Sequence, residues 1–361
     1  MVINQLPTET DGVIGADGEQ EETDEQGRSL GGSMKMFFHK VVWSKLSGRH
    51  DYNTLTLVKA GSDGELERIE FTGRTKGRDV ESRQAIQEAI ANAQADILLL
   101  VHGIIGDTKS MVECACLKTD IHTHFGAVLS FDYENLNTPI EDTAKALGEM
   151  LTAVGLQDKR LVVVAHSMGG LVSRSFIEDH EGAAIVKKLI QVGTPNGGSE
   201  ISDFRKKLTG WVTMGINGLG VVQPYLPILA FIWKGVENRI FHTLNQMGPG
   251  SDFLNELNNG SKSSPDVPYY LVAGDTRKVE ADYHDEDPAW KKVWNSMTGR
   301  GAYLFADYAF FDDVPNDMAV KVDSMKMVPW GHEKIEEVIC DHISYFDLEE
   351  GQVGLKTIMG L

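Results

Sequence analysis

A serine stands between an apolar run and a helical pattern, where it could serve as a nucleophile. The run Leu161–Ala165 has the composition of a strand buried on both faces, and Ser167 follows it within the sequence Ala-His-Ser-Met-Gly. A serine at such a sharp strand-to-helix turn presents its hydroxyl above the sheet, and the N-terminus of the helix stabilises an oxyanion there. The segment predicts a nucleophilic serine, although the same short pattern also occurs in ordinary turns.

A serine hydroxyl is a weak nucleophile, so a base must take its proton and a carboxylate must orient that base. Carboxylates and histidines that could do so occur late in the chain. The candidate acids are Asp317, Asp275, Asp312 and Asp313, and the candidate bases are His342 and His332. Asp275 ends the predicted strand 269–274, while His342 follows the alternating apolar run 335–341.

The elements that would position these residues alternate between strands and helices. Apolar runs predict strands over residues 96–101, 126–131, 161–165 and 184–192. Helical spacing of apolar residues marks 82–94 and 138–154. This order predicts a mostly parallel sheet with helices on both faces. Ligands of such sheets bind beyond the carboxyl ends of the strands, which is where Ser167 lies.

The first part of the chain has a different character. Residues 1–33 are polar and acidic, which predicts a flexible tail or linker. Residues 34–80 show β signals, with a turn at 61–64, and predict a small β extension before an α/β unit over 81–361. The strands expected in the extension are Phe37–Trp43, Thr54–Val58 and Leu66–Phe71.

The motifs of the α/β unit resemble those of the α/β-hydrolase lipases and esterases. His-Ser-Met-Gly-Gly at 166–170 is similar to their nucleophile elbow, with Ala165 where the usual pattern has glycine. Gly-Thr-Pro at 193–195 is similar to a lipase loop in the same position. The resemblance covers residues 95–350 and implies an α/β-hydrolase fold with an inserted lid at about 200–262.

The same resemblance assigns the other catalytic roles. Asn-Asp-Met-Ala-Val at 316–320 is similar to the loop Asn-Asp-Gly-Val that carries the acid in many lipases, with Met318 in place of glycine. It implies a triad of Ser167, Asp317 and His342, in which the histidine follows the last strand.

The His-Gly pair at 102–103 follows the strand 96–101, as it does in hydrolases of this class. The resemblance implies that the backbone N–H groups of Ile104 and Met168 form the oxyanion hole. His102 is expected to brace this loop rather than to react.

Composition restricts the partners and the compartment. The net charge of −19 argues against binding to nucleic acid. The three cysteines show no metal-ligand spacing, and neither a metal nor another cofactor is expected. The chain opens without the pattern of a signal sequence, which favours a reduced, cytoplasmic setting. The N-terminal region is a candidate surface for a protein partner.

The segment from Leu208 to Trp233 contains no charged residue. Its glycines and prolines argue against one continuous membrane-spanning helix. We expect an apolar lid over Ser167 that binds an acyl chain, the alternative being a buried helical pair in the core. The candidate substrate-binding residues are Leu226, Ile228 and Phe231, and such a lid is also a candidate for transient contact with a membrane surface.

These observations predict a serine hydrolase that cleaves carboxylic esters, with lipid or another acyl ester as substrate. A thioesterase, acyltransferase or peptidase would use the same three residues, because pocket shape selects the leaving group. The alternative from another class is a catalytically silent hydrolase domain that serves as an interaction module.

Overall fold

The computed structural model describes residues 53–61, 64–73, 77–104, 107–135, 137–158, 160–199, 242–259, 265–276 and 314–361. The predicted tail, the predicted strand Phe37–Trp43 and the segment Leu208–Trp233 lie outside these residues.

The described residues form one eight-stranded mixed sheet. Its spatial order is β2-β1-β4-β3-β5-β6-β7-β8. The strands from β4 to β8 pair in parallel, and β1 is antiparallel to both of its neighbours. The strands are β1 Thr54–Ala60, β2 Leu66–Phe71, β3 Ile97–Val101, β4 Ala127–Asp132, β5 Leu161–His166, β6 Val186–Val192, β7 Tyr269–Gly274 and β8 Lys334–Val338.

The strands β1 and β2 form one edge of this sheet. β1 pairs with β4, so that Leu57 lies opposite Leu129, and β2 pairs antiparallel with β1. The described part of the predicted β extension, residues 34–80, therefore shares its sheet with the α/β unit. Leu55, Leu57 and Phe71 are buried and extend the core to this edge.

Helices connect most of the strands. The α-helices of the described residues are α1 Arg78–Asn92, α2 Lys109–Glu113, α3 Ile140–Ala153, α4 Met168–Asp179, α5 His242–Gln246, α6 Asp252–Asn259, α7 Val322–Met325 and α8 Glu349–Met359. A π-helical turn, Cys114–Lys118, continues α2, and short 3-10 turns cover Ile121–His124 and Gly182–Ala184. Within the described ranges, no helix has the length and apolar character needed to cross a membrane.

The centre of the sheet is covered on both faces. Every residue of β3 is buried, and so are the first five of β5. Because successive side chains of a strand point to opposite faces, this pattern requires packing on each side of the sheet. The topology and the elbow between β5 and α4 confirm the predicted α/β-hydrolase fold.

Candidate active site

Ser167 occupies a strained turn between β5 and α4. Its backbone has φ 54° and ψ −126°, a conformation that costs a residue with a side chain about 1–3 kcal/mol. The turn is tight because helix and loop touch: a Cβ at Gly169 would collide with the carbonyl oxygen of His102, and one at Gly170 would collide with Thr194. The helix α4 starts at Met168 and directs its N-terminus toward the serine.

A chain of hydrogen bonds joins Ser167 to His342 and Asp317. The Nε2 atom of His342 lies 2.8 Å from Oγ of Ser167, and its Nδ1 atom lies 2.7 Å from Oδ2 of Asp317. The carboxylate can only accept, so Nδ1 carries the proton and Nε2 accepts the serine hydroxyl. All three side chains are buried. The structure thus brings together the three residues that the sequence named, in the order needed for proton transfer from the serine.

Asp317 is held as a carboxylate by its surroundings. Burial raises the pKa of Asp317, but the charge and hydrogen bond of His342 and further hydrogen bonds outweigh it and bring the pKa below its usual value. The backbone N–H groups of Ala319 and Val320 both donate to Oδ1. Met318, which stands where the similar lipase loop has glycine, has φ 72°, so the turn adopts a conformation typical of glycine with a methionine in its place.

The other candidates for the acid and the base do not form this chain of hydrogen bonds. Asp275 is buried just beyond β7, but the carboxylate on Nδ1 of His342 is that of Asp317. His332 is exposed and precedes β8, whereas His342 follows it, so the two histidines lie toward opposite ends of that strand. Asp312 and Asp313 lie outside the described residues, as do the candidate substrate-binding residues Leu226, Ile228 and Phe231.

The loop after β3 approaches the serine closely. A Cβ on Gly103 would lie 2.7 Å from Cβ of Ser167. His102 donates from Nδ1 to the carbonyl of Gly103 at 2.6 Å, and its Nε2 accepts the N–H of Tyr133. The Gly103 carbonyl and the Ile104 N–H belong to one planar peptide, so this bond orients the N–H expected in the oxyanion hole. Asn135 also donates to the carbonyl of Ile104, at 2.6 Å.

His166 was not singled out from the sequence, yet it contacts the catalytic candidates. Its Nε2 donates to the backbone carbonyl of His342 at 2.8 Å, and the two rings lie 5.0 Å apart. Burial, and next the charge of His342, lower the pKa of His166 to about 3. His166 is therefore a neutral donor that fixes the backbone of His342. Tyr345, also missed, donates to Asp317 at 2.8 Å.

A buried polar network joins α4 to α6, which lie on either side of residues 200–241 in the sequence. Arg174 of α4 donates to Glu178 at 2.9 Å, to Asn196 at 3.1 Å and to Asn258 of α6 at 2.9 Å. Asn258 in turn donates to the carbonyl of Asn196. The N–H of Ser199 donates to the carbonyl of Met247 at 2.9 Å, so the chain just before the segment is bonded to the chain just after α5. Asn196 and Asn258, on either side of the segment, are thus both bonded to Arg174 of α4.

Comparisons with known proteins give a family and a set of similar folds. A family model described as a domain of unknown function, DUF7379, matches residues 65–358. No curated protein matches the sequence. The structure is similar to a Bacillus licheniformis lipase in its mature form, with 17% identity and a TM-score of 0.49 over 74% of this chain and 91% of that one.

It is also similar to an esterase from Rhodococcus sp. ECU1013, with 13% identity and a TM-score of 0.42 over 85% of this chain and 98% of that chain. A third similar structure is a lipase-esterase related protein from Clostridium acetobutylicum, with 12% identity and a TM-score of 0.41 over 74% and 95% of the two chains.

Proposed function

This chain belongs to the DUF7379 family, a domain of unknown function, and we propose that it is a serine hydrolase that cleaves carboxylic esters. The observation that carries the proposal is the hydrogen-bonded series of Ser167, His342 and Asp317, with distances of 2.8 and 2.7 Å. Hydroxyl, imidazole and carboxylate in this order make a nucleophile from an otherwise unreactive alcohol. The strained backbone of Ser167 is a second support, because strain of this kind collects at functional sites.

In the proposed reaction, Oγ of Ser167 attacks the acyl carbon while Nε2 of His342 takes its proton. The carbonyl oxygen becomes an oxyanion and receives hydrogen bonds from the N–H groups of Ile104 and Met168. The imidazolium, stabilised by Asp317, then gives its proton to the leaving alcohol, and an acyl-serine ester remains. Water attacks this ester as His342 takes its proton, so that the acid leaves and the serine hydroxyl is restored.

We further propose that the substrate is a lipid ester. The segment from Leu208 to Trp233 is free of charge and belongs to the stretch of chain inserted between Ser199 and His242. On one flank the hydroxyl of Ser199 donates to the carbonyl of Ala319 at 2.6 Å, and on the other the hydroxyl of Thr243 donates to the carbonyl of Asn135 at 3.0 Å, so both flanks lie beside elements of the site. An apolar lid at this position would bury an acyl chain through residues such as Leu226, Ile228 and Phe231.

A fluorophosphonate probe tests the nucleophile. Labelling of the full chain should occur and should be lost in Ser167→Ala, because the probe phosphonylates only an activated hydroxyl. Ser175→Ala, a change in the same helix, is the matched control and should label normally. Labelling that persists in Ser167→Ala contradicts the assignment, and an unlabelled wild-type protein with intact fold supports the silent interaction module.

A panel of acyl esters tests the substrate class. Burying each methylene is worth about 0.8 kcal/mol, so kcat/KM should rise about three- to fourfold per carbon until the pocket is full. Equal rates for short and long esters contradict the lipid proposal and leave a general esterase. Thioester and peptide substrates with the same acyl group, run in parallel, distinguish the other reactions of this triad.

A further inference from the structure

A buried tyrosine hydroxyl contacts the same carboxylate oxygen as the histidine. Tyr345 is 1% exposed and donates to Oδ2 of Asp317 at 2.8 Å, while His342 donates to that oxygen at 2.7 Å. The N–H of Gly274 donates to the tyrosine oxygen at 2.7 Å. Because that N–H fills the acceptor side of the hydroxyl, the phenolic proton is directed at Asp317.

The fold leaves space for this contact at the ends of two strands. A Cβ on Gly274, the last residue of β7, would lie 2.8 Å from the tyrosine oxygen and 2.9 Å from Cβ of Asp317. Gly193, just after β6, has φ 60°, and a Cβ there would lie 2.8 Å from the ring of Tyr345. Two glycines are therefore required for the tyrosine and the aspartate to meet.

We propose that Tyr345 is a positioning residue for the proposed ester hydrolysis, on which this inference rests: its hydroxyl fixes Asp317 and tunes how strongly that carboxylate binds the imidazolium of His342. With Ala319 and Val320 on the other oxygen, the carboxylate accepts four hydrogen bonds and cannot rotate away from the histidine. The hydroxyl of Tyr345 and the Nδ1–H of His342 share Oδ2, so each of these hydrogen bonds weakens the other.

Removing the hydroxyl should have two separable effects. The carboxylate becomes less well held, which lowers kcat. The remaining bond to His342 becomes stronger, which favours the imidazolium and moves the acid limb of the profile of kcat/KM against pH upward. Among the residues that the structure describes, the other titratable groups that face Asp317 or Tyr345 are His166 and Cys340, and Asp341 in turn faces Cys340. These groups are present in both wild type and Tyr345→Phe, so a difference between the two pH profiles is due to the tyrosine hydroxyl.

The test compares Tyr345→Phe with Tyr269→Phe. Tyr269 is also buried and donates to a carboxylate, Glu178, at 2.9 Å, but it lies at the other end of β7. Tyr345→Phe should lower kcat about tenfold with little change in KM, and should move the acid limb upward by roughly half a pH unit. Tyr269→Phe loses an equivalent hydrogen bond and should leave the limb in place.

Proton NMR of the free protein provides a readout that needs no turnover. The Nδ1–H resonance of His342 should move downfield in Tyr345→Phe, because its bond to Asp317 strengthens, and should not move in Tyr269→Phe. An unchanged acid limb, or an unchanged resonance, overturns the role of Tyr345. If wild type neither labels with fluorophosphonate nor cleaves esters, the proposed function fails, and the NMR comparison alone decides whether Tyr345 acts on the Asp317–His342 pair.

Discussion

The environment of His166 predicts a measurable loss of stability in mild acid. Its pKa lies at about 3 because the partly buried ring loses most of its hydration next to His342, whereas an unfolded histidine has its ordinary value of 6.5. As pH falls below 6.5, the unfolded chain binds a proton at this residue and the folded protein does not. The contribution of the neutral ring to stability is therefore complete above pH 6.5 and is lost progressively toward pH 3.

The size of the effect at pH 5 follows from proton linkage. At pH 5, which is about 1.5 units below the pKa of the unfolded histidine, protonation stabilises the unfolded state by about 2 kcal/mol. It stabilises the folded state hardly at all. The figure is insensitive to the folded pKa, because a value of about 4 would change it by roughly 0.1 kcal/mol. At a lower pH the expected loss would depend on the folded pKa, so pH 5 is the better choice for the measurement.

The loss of stability is measured by urea unfolding of wild type and His166→Gln, each at about pH 7.5 and at about pH 5. Glutamine keeps an N–H donor for the carbonyl of His342 but does not titrate. Between the two pH values, the free energy of unfolding of wild type should fall by about 2 kcal/mol more than that of the variant. His124→Gln, at an exposed site, should behave as wild type. Equal losses in wild type and His166→Gln would refute the reasoning.

Four further outcomes are expected. Ser167→Gly should abolish ester hydrolysis yet raise the free energy of unfolding by about 1 kcal/mol, since glycine tolerates φ 54°; a loss of stability contradicts the strain. Arg174→Met should cost about 3–5 kcal/mol in urea unfolding, because the buried carboxylate of Glu178 loses the positive charge of Arg174, and Arg174→Met with Glu178→Gln should recover part of that loss. Asn135→Ala should lower kcat about tenfold with unchanged KM if it positions Ile104, and equal kinetics would exclude that role. Phe231→Ser should flatten the dependence of kcat/KM on acyl length while short esters react as before; an unchanged slope removes it from the acyl pocket.

The residues that sequence analysis could name are those whose signal is local. Ser167 stands in a strand-turn-helix pattern that a few consecutive residues specify, and the buried runs of β3 and β5 predict a parallel sheet by composition alone. Asp317 and His342 were distinguishable from their rivals only through resemblance to a family. The methionine at 318, which adopts the conformation of a glycine, gives no sign of the turn in its residue type.

The features that escaped prediction depend on contacts between distant parts of the chain. Alternation identified β1 as a strand, but its pairing with β4 joins Leu57 to Leu129, and period-two patterning does not specify a neighbour. His166 contacts the backbone of His342, 176 residues away. Tyr345 reaches Asp317 over 28 residues of sequence. Their residue types are common in cores, so only the folded geometry reveals what they touch.

The direct bond between Ser199 and Met247 has a consequence for engineering. Because Ser199 and Met247 are hydrogen-bonded, and Arg174 joins the elements beside them, we expect that the chain between these two residues can be exchanged as a cassette. The entropy of closing such a loop changes only slowly with its length, by roughly 0.6 kcal/mol for each doubling. Cassettes of different size and polarity can therefore be grafted between these two anchors while Ser167, His342 and Asp317 keep their geometry. Under the proposed function, the described scaffold would keep the reaction, and the grafted segment would change the choice of ester.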